Sequence, residues 1–569
     1  MSTPHSASSS PELIRPMTAP KLLNVAVQHI SGRIVDVVNR TEYPGTVEIS
    51  GGVIRRIRRD MRAKGRGLIM PGFVDAHIHI ESSMLPPAEF ARLAVVHGTV
   101  ATVSDPHEIA NVLGIAGVDY VIAEGRRSPF KFYFGAPSCV PATGFETAGA
   151  NLDVKAVERL LARKEIRYLA EMMNFPGVLA RDPGVLAKIA AAKRLGKVVD
   201  GHAPGLRGRD ARAYAAAGIT TDHECVTLAE AQDKLRAGMK ILIREGSAAR
   251  NFAALAPLLK SSPEHCMFCC DDLHPDLLVR HHIDAHLRHA LALGVDRFDA
   301  LACATLNPVR HYGLEVGLLR EGDPADFVVV KSWKNFRVQR TYLRGRLVAV
   351  AGRSKLPRLE ARVVNRFRAA PRDADDFAVL AGEGPLNVIE ALNGQLITRH
   401  VCLPAKTIEG RAVADPSRDL LKIVVVNRYA RRAPSAVGFI RGFGLREGAI
   451  ASSVAHDSHN VVAVGVDDAS LAAAANLVIE HRGGISVVGR GKRKILPLPI
   501  AGLMALGDGH AVAKRYTELD ALAKRLGSKL DAPFMTLAFM ALLVIPDLKL
   551  SDRGLFSGRK WAFQKLFGR

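Results

Sequence analysis

His77 and His79 stand two residues apart in the apolar run PGFVDAHIHI. Side chains two apart on a strand share a face, so both imidazoles can point into one pocket and grip a divalent metal ion. An isolated H-x-H reads equally well as a pair of hydrogen-bonded core histidines. What shifts the balance is the company it keeps: Glu171 in LAEMMNF, His202 in VDGHAPG, His223 in TTDHECV and Asp271 in FCCDD each close a short apolar run. Six nitrogen and oxygen donors of this kind can hold two divalent ions about 3.5–4 Å apart, with one carboxylate bridging and a position open for water. Such a pair lowers the pKa of a shared water toward neutrality, and a carboxylate close by can take its proton and pass it to a leaving group. Glu171 suits the bridge and Asp271 the shuttle.

Other polar residues sit near the same run ends: Glu81, His107, Glu108, Glu224, Asp272 and His274. Each could orient a ligand, hold a further ion, touch substrate or simply cap a loop. Far downstream, AHDSHN offers His456, Asp457 and His459, which could lean over the same site, bind an ion or form a turn. Cys266 and Cys269 form C-x-x-C without a second pair and inside a predicted strand, so they read as core. With His79 and Glu81 they echo the signature of the compact zinc nucleobase deaminases. That reading fails because His265 stands where Pro is required and the separation is far too long.

The elements that must position these groups alternate regularly. Between residues 68 and 272, eight apolar runs end in MPGFVDAHIHI, TVATVSDP, KFYFGAPS, IRYLAEMMNF, KVVDGHAP, ITTDHECV, KILIREGS and HCMFCCDD, each followed by a turn and a helical pattern. Eight βα units predict a closed parallel (β/α)8 barrel over 68–312, with the candidate ligands on the rim where such barrels carry their sites. Helix signals are strong at Thr227, with Glu230 three residues on and Gly238 as terminator, and from Asp284 to Gly294. Residues 21–67 and 313–352 read as short strands flanking the barrel, predicted to join in one composite β-sandwich. From 358 to 569 there is room for a further α+β domain. Residues 1–20, rich in Ser and Pro, read as a flexible tail, and no repeat period is evident.

A chain of 569 residues, 48% hydrophobic, is too long for one core and too apolar for disorder. Its most apolar stretch near the C-terminus, Phe539 to Ile545, is far shorter than the ~20 residues that span a bilayer. No membrane association is expected, and seven scattered cysteines without an export signal predict reduced thiols in the cytoplasm. The net charge of +22 gathers at Arg55, Arg56, Arg58, Arg59, Arg62, Lys64 and Arg66, and again at Arg490, Lys492, Arg493 and Lys494. With no recognition motif beside them, these read as solvated faces, and no specific nucleic-acid partner is expected.

The opening PGFVDAHIHIESSMLPPAEFARLAVVHGTVATVSDPHEIANVLG resembles the adenine deaminase family of the metal-dependent amidohydrolase superfamily. The likeness continues through VDGHAPGLRGRDARAYAAAGITTDHECV, FCCDDLHPDLL and ATLNPVRHYGL, and reaches the C-terminal GFGLREGAIASSVAHDSHNVVAVGVDD, LPLPIAGLM and VIPDLKLSDRGLF. The resemblance implies hydrolysis of adenine to hypoxanthine and ammonia in purine salvage, with two manganese or ferrous ions and an acid such as Asp271 delivering a proton to the ring. Cys270 stands where the family pattern has Thr, and Leu273 where it has a basic residue, departures expected to reshape the purine pocket. A homodimer is the expected assembly. The competing readings are an amidohydrolase of another cyclic amide, such as a hydantoin, and a nucleic-acid-binding protein on an idle barrel.

Overall fold

A computed structural model describes residues 27–62 and 65–568; the tail expected over 1–20 and the basic Lys64 lie outside the described residues. The first sheet is built from both ends of the catalytic unit. It takes β1 (Gln28–Asp36), β2 (Thr41–Ser50), β3 (Val53–Arg59) and β4 (Leu68–Pro71) from before the barrel. The barrel follows as β5 (Phe73–Ile78), β6 (Thr99–Ser104), β7 (Lys131–Ala136), β8 (Ile166–Met172), β9 (Val199–Gly201), β10 (Thr221–Asp222), β11 (Lys240–Arg244) and β12 (Cys266–Cys269). After it, β13 (Phe327–Val330), β14 (Val338–Leu343), β15 (Arg346–Val350) and β16 (Arg353–Ser354) return to the first sheet. Its order is β16-β15-β14-β13-β4-β1-β2-β3. The sheet rolls on itself: Ile54 N donates to the Asp323 carbonyl at 2.9 Å, and the two halves enclose Ile34, Val47, Ile49, Phe327 and Val329.

The eight barrel strands pair in parallel in two runs, β5 to β9 and β10 to β12. The seams are closed by backbone bonds. Thr220 N donates to Val199 O (2.9 Å) on one side, and Asp271 N to His77 O (2.9 Å) and His79 N to Asp271 O (3.1 Å) on the other. Strands β9 and β10 are short because side chains take over the ladder there: Gly201 N donates to the Thr221 hydroxyl and Ala203 N to the Asp222 carboxylate. Helix Leu228–Arg236 starts at Thr227, whose hydroxyl accepts from Glu230 N, as predicted. Glu230 does not complete a capping box; its carboxylate instead accepts from Val226 N, Gly205 N and the buried Lys234 ammonium.

Beyond the barrel, β17 (Leu386–Ala391) and β18 (Thr398–Leu403) precede a small hairpin, β19 (Lys406–Ile408) and β20 (Arg411–Val413). There follow β21 (Leu421–Val426), β22 (Ala436–Arg441), β23 (Ala449–Ser452), β24 (Val461–Gly465), β25 (Gly484–Gly489) and β26 (Lys492–Pro497). They form a mixed sheet in the order β18-β17-β22-β21-β24-β23-β25-β26. Helix Asp468–Glu480 covers one face, burying Leu471, Ala475 and Val478 against Val424, Ala451 and Ala463. Helix Gly509–Arg525 reaches the barrel rim, where Gly509 N donates to Glu89 at 2.9 Å. Among the described residues no helix is long and apolar enough to cross a membrane, and all seven cysteines are free thiols. The described arginines of the first basic cluster lie exposed, four of them on β3, where Arg58 pairs with Glu48 at 2.6 Å.

Candidate metal centre and active site

The chain reaches the rim from five strand ends. His77 is the penultimate residue of β5 and His79 follows it in extended backbone (φ −95, ψ 104). Glu171 lies at the end of β8, His202 and His223 follow β9 and β10, and Asp271 lies two residues past β12. All six are buried. Their donor atoms converge: His77 Nε2 lies 3.3 Å and His79 Nε2 3.1 Å from Asp271 Oδ1, and the two nitrogens are 3.2 Å apart. Glu171 faces both ways, with Oε1 3.3 Å from His79 Nε2 and Oε2 2.8 Å from His202 Nδ1 and 3.2 Å from His223 Nε2. His223 also stacks on His77, ring centroids 4.2 Å apart.

This donor set fits a pair of divalent cations. His77, His223 and Asp271 form one compact trio and Glu171, His202 and His223 another, each with ligand atoms within 4.8 Å of one another. The buried Nε2 of His202 has no hydrogen-bond partner. Four imidazoles and two carboxylates, Glu171 being the one that lies between two histidine groups, suit ions of borderline hardness. A further quartet, His79, Asp105, His107 and Glu171, shares two of the six. Asp105 went unnoticed in the sequence; its carbonyl faces His79 Nδ1 (3.2 Å) and its carboxylate His107 Nδ1 (3.1 Å).

Charge is balanced within the cluster. Burial alone would raise Asp271, but the Arg244 guanidinium, His223, His77 and His79 outweigh it and hold its carboxyl well below the usual range. Burial likewise opposes the ionised form of Glu171, which His202, His223 and His79 reverse. Burial would lower His202, yet Glu224 and Glu171 lift it to about 9. Asp271 has a positive φ of 58°, a left-handed backbone that a non-glycine residue adopts only at a cost, and the bonds across the barrel seam hold it there.

Arg244, the last residue of β11 and 2% exposed, was read only as part of a strand. It donates to Glu224, to Asp271 Oδ2 at 2.5 Å and to the Ala249 carbonyl at 2.7 Å. Beneath the rim a hydroxyl, an imidazole and a carboxylate stand in line: Thr99 Oγ1 is 2.6 Å from His282 Nδ1, and His282 Nε2 is 3.0 Å from Asp75. All three are fully buried, so this is a brace and not a nucleophile. Asp75 accepts from His77 N and Cys270 N, tying together the strands that carry His77 and Asp271.

The remaining candidates separate clearly. His107, Glu108, Glu224 and Asp272 line the central cavity together with the six convergent residues other than His77. Asp272 accepts from the Ser82 hydroxyl. Glu81 instead accepts from Ile109 N (3.2 Å), and burial pushes its carboxyl up to about 7; His274 binds Tyr516 OH (2.6 Å), and burial pushes it down to about 3. Neither lines the cavity. Cys270 and Leu273, expected to reshape the pocket, also stay outside its walls: Cys270 packs in the barrel beside Asp75, and Leu273 is wholly buried in the core. Cys266 and Cys269 are buried at the two ends of β12, and burial pushes Cys266 up to about 12.

The downstream AHDSHN segment does lean over the barrel mouth. His456 Nδ1 donates to Glu108 Oε1 at 2.5 Å and His459 Nε2 donates to Glu108 Oε2. His456, Asp457, Leu396, Phe539 and Leu542 complete the cavity wall. A second hollow, lined by Pro204, Val226, Arg250 and Ile397, shares Glu224 and Leu396 with it.

Residues 68–348 match the amidohydrolase family, and residues 395–562 match the adenine deaminase C-terminal domain. The chain is 58% identical to an adenine deaminase of Salinibacter ruber over 95% of its own length and 98% of that protein's. It is 54% identical to an adenine deaminase of a Sulfurovum species over 93% and 98%, and 50% identical to that of Methanosarcina acetivorans over 94% and 99%. Among solved structures it is similar to an enamidase at 14% identity and a TM-score of 0.44, covering 58% of this chain and 97% of that one.

Proposed function

We propose that this chain, which belongs to the adenine deaminase family, hydrolyses adenine to hypoxanthine and ammonia in the cavity at the barrel mouth. The observation that carries the reading is identity of 50–58% over more than nine-tenths of both chains with proteins named adenine deaminase. The convergence of six buried donors on one rim supports it independently.

His77, His79, Glu171, His202, His223 and Asp271 would hold two divalent ions, manganese or ferrous iron. When bound, these ions supply the Lewis acidity that lets water act as a nucleophile at neutral pH. The buried walls exclude bulk solvent from the reacting edge. Asp271, aimed by its backbone and held ionised by Arg244, takes a proton from the attacking water. It passes that proton on as the C6 amino group leaves as ammonia, so adenine and water balance hypoxanthine and ammonia. The free thiols support a reducing, cytoplasmic setting, and a homodimer without a nucleic-acid partner is the working form we propose.

The test is to reconstitute purified protein with manganese or ferrous iron, add adenine, and measure hypoxanthine and ammonia, with His77→Ala and metal-free protein as controls. Equal amounts of both products, only from the metal-loaded native chain, are expected. No product from folded, loaded protein would overturn the assignment of adenine.

A further inference from the structure

Chemistry at C6 fixes one edge of the purine and leaves open what reads the rest of the ring system. The cavity walls divide by origin. Barrel residues bring the histidines and carboxylates; the C-terminal region brings Leu396, Phe539 and Leu542, three apolar side chains suited to the faces of a flat heteroaromatic ring, together with His456 and Asp457. Lys549, fully buried, fixes two of these wall segments to each other by donating to the carbonyls of Leu396 (2.7 Å) and Phe539 (2.9 Å).

Within that wall His456 is a built feature. It is 2% exposed and clamped twice, by Nδ1 on Glu108 and by its ring lying flat on Phe539, with centroids 4.3 Å apart and planes 16° from parallel. Its Nε2 is buried with no hydrogen-bond partner. A ring so clamped cannot turn to find one, and a buried polar nitrogen left unpaired is costly. His456 lines the cavity, so a molecule seated there can supply the missing partner.

We infer that His456 Nε2 is a specificity-determining group that hydrogen-bonds one ring nitrogen of the purine, and that the C-terminal wall is the purine-reading half of the site. The assignment rests on the adenine reading above. It gives the C-terminal residues at the barrel mouth a role: the barrel holds the reacting edge, and the added domain discriminates the ring. A site whose buried nitrogen is paired by the right ring and orphaned by the wrong one rejects the wrong ring strongly.

The experiment uses metal-loaded protein and purine, which lacks the departing amino group, together with its 1-, 3-, 7- and 9-deaza counterparts. Dissociation constants are measured for the native chain and for His456→Phe, which keeps a flat ring against Phe539 and removes both nitrogens. In the native chain, loss of one particular ring nitrogen should weaken binding at least ~10-fold while the other losses cost less than ~3-fold. In His456→Phe that single penalty should fall below ~3-fold. Equal penalties in both proteins would overturn the inference. If His456→Phe does not fold, His456→Gln replaces it, and the same penalty must then change at least ~5-fold. A native chain that releases ammonia from adenine but shows unaltered penalties sinks only the role of His456. One that neither binds purine nor deaminates adenine sinks the adenine reading with it.

Discussion

Arg244→Met removes the guanidinium that faces both Glu224 and Asp271 while leaving a side chain of similar length in the barrel wall. Deleting one partner of a buried ion pair costs about 3–5 kcal/mol, because the other partner stays ionised and dry. Two carboxylates lose their cation here, yet neither is left alone. His223 Nε2 lies 3.5 Å and His202 Nδ1 3.8 Å from Glu224, and His79 Nε2 lies 3.1 Å from Asp271. The expected loss is therefore at the lower end, about 3 kcal/mol. Adding Glu224→Gln removes one of the two stranded charges and should return about 1–2 kcal/mol, a coupling normal for residues in direct contact. Urea unfolding of the native chain, both single variants and the double variant, all metal-free, closes the cycle. A single variant within about 0.5 kcal/mol of native, or a double variant no more stable than Arg244→Met, would refute the claim that this guanidinium offsets both charges.

Asp271→Asn should lower turnover of adenine by roughly 10²–10⁴-fold with an unchanged circular dichroism spectrum; near-native rates would remove Asp271 from the proton transfer. Chelation should abolish activity and lower the melting temperature, with both restored by manganese or ferrous iron; at ion concentrations ~1,000 times the dissociation constant the linkage is worth about 4 kcal/mol. Burial pushes Lys549 down from 10.5 to about 7. The unfolded chain then binds a proton that the folded chain lacks between those values, so this contribution is full above about 10.5 and lost as pH falls through about 7. Lys549→Met should flatten the rise in stability across that window, and unfolding curves that stay parallel to the native ones would contradict it. Cys266→Ala and Cys269→Ala should keep the full metal content measured by elemental analysis, since both thiols lie inside the barrel wall at opposite ends of β12; loss of an ion from either would reopen the C-x-x-C reading.

The repeated βα pattern carried the eight barrel strands, because a strand buried on both faces writes itself as a continuous apolar run ending in a polar turn. The six convergent residues were legible for the same reason: each sits where such a run stops. Arg244 escaped because it ends a run in the same way but is cationic, and nothing local says that two carboxylates await it across the rim. An arginine closing an otherwise apolar strand, as in KILIR, is the signal that could have revealed it. Phe539 was noticed only as part of a stretch too short for a membrane, whereas its apolarity serves the cavity wall. His456 lies 348 residues from Glu108, the group that fixes it, and no periodicity spans such a distance. Glu230 shows the opposite failure: a capping-box pattern was present, but a buried lysine and two loop amides competed successfully for its carboxylate.

The first sheet has a consequence for how the molecule is made. Strands β4 and β13 are neighbours, pairing Leu68 with Val330 and Pro71 with Phe327, so partners lie roughly 260 residues apart in the chain. At ~5–20 residues per second, a ribosome needs ~13–50 s to supply the second strand after the first has emerged. Throughout that interval β4 presents an open edge, and the catalytic barrel is being threaded between its two anchors. The cavity waits longer still, since its wall residues Phe539 and Leu542 follow Phe327 in the chain by more than two hundred residues. The nascent chain thus carries all six convergent rim residues long before it owns a closed pocket, and the pocket closes only after the C-terminal wall has followed.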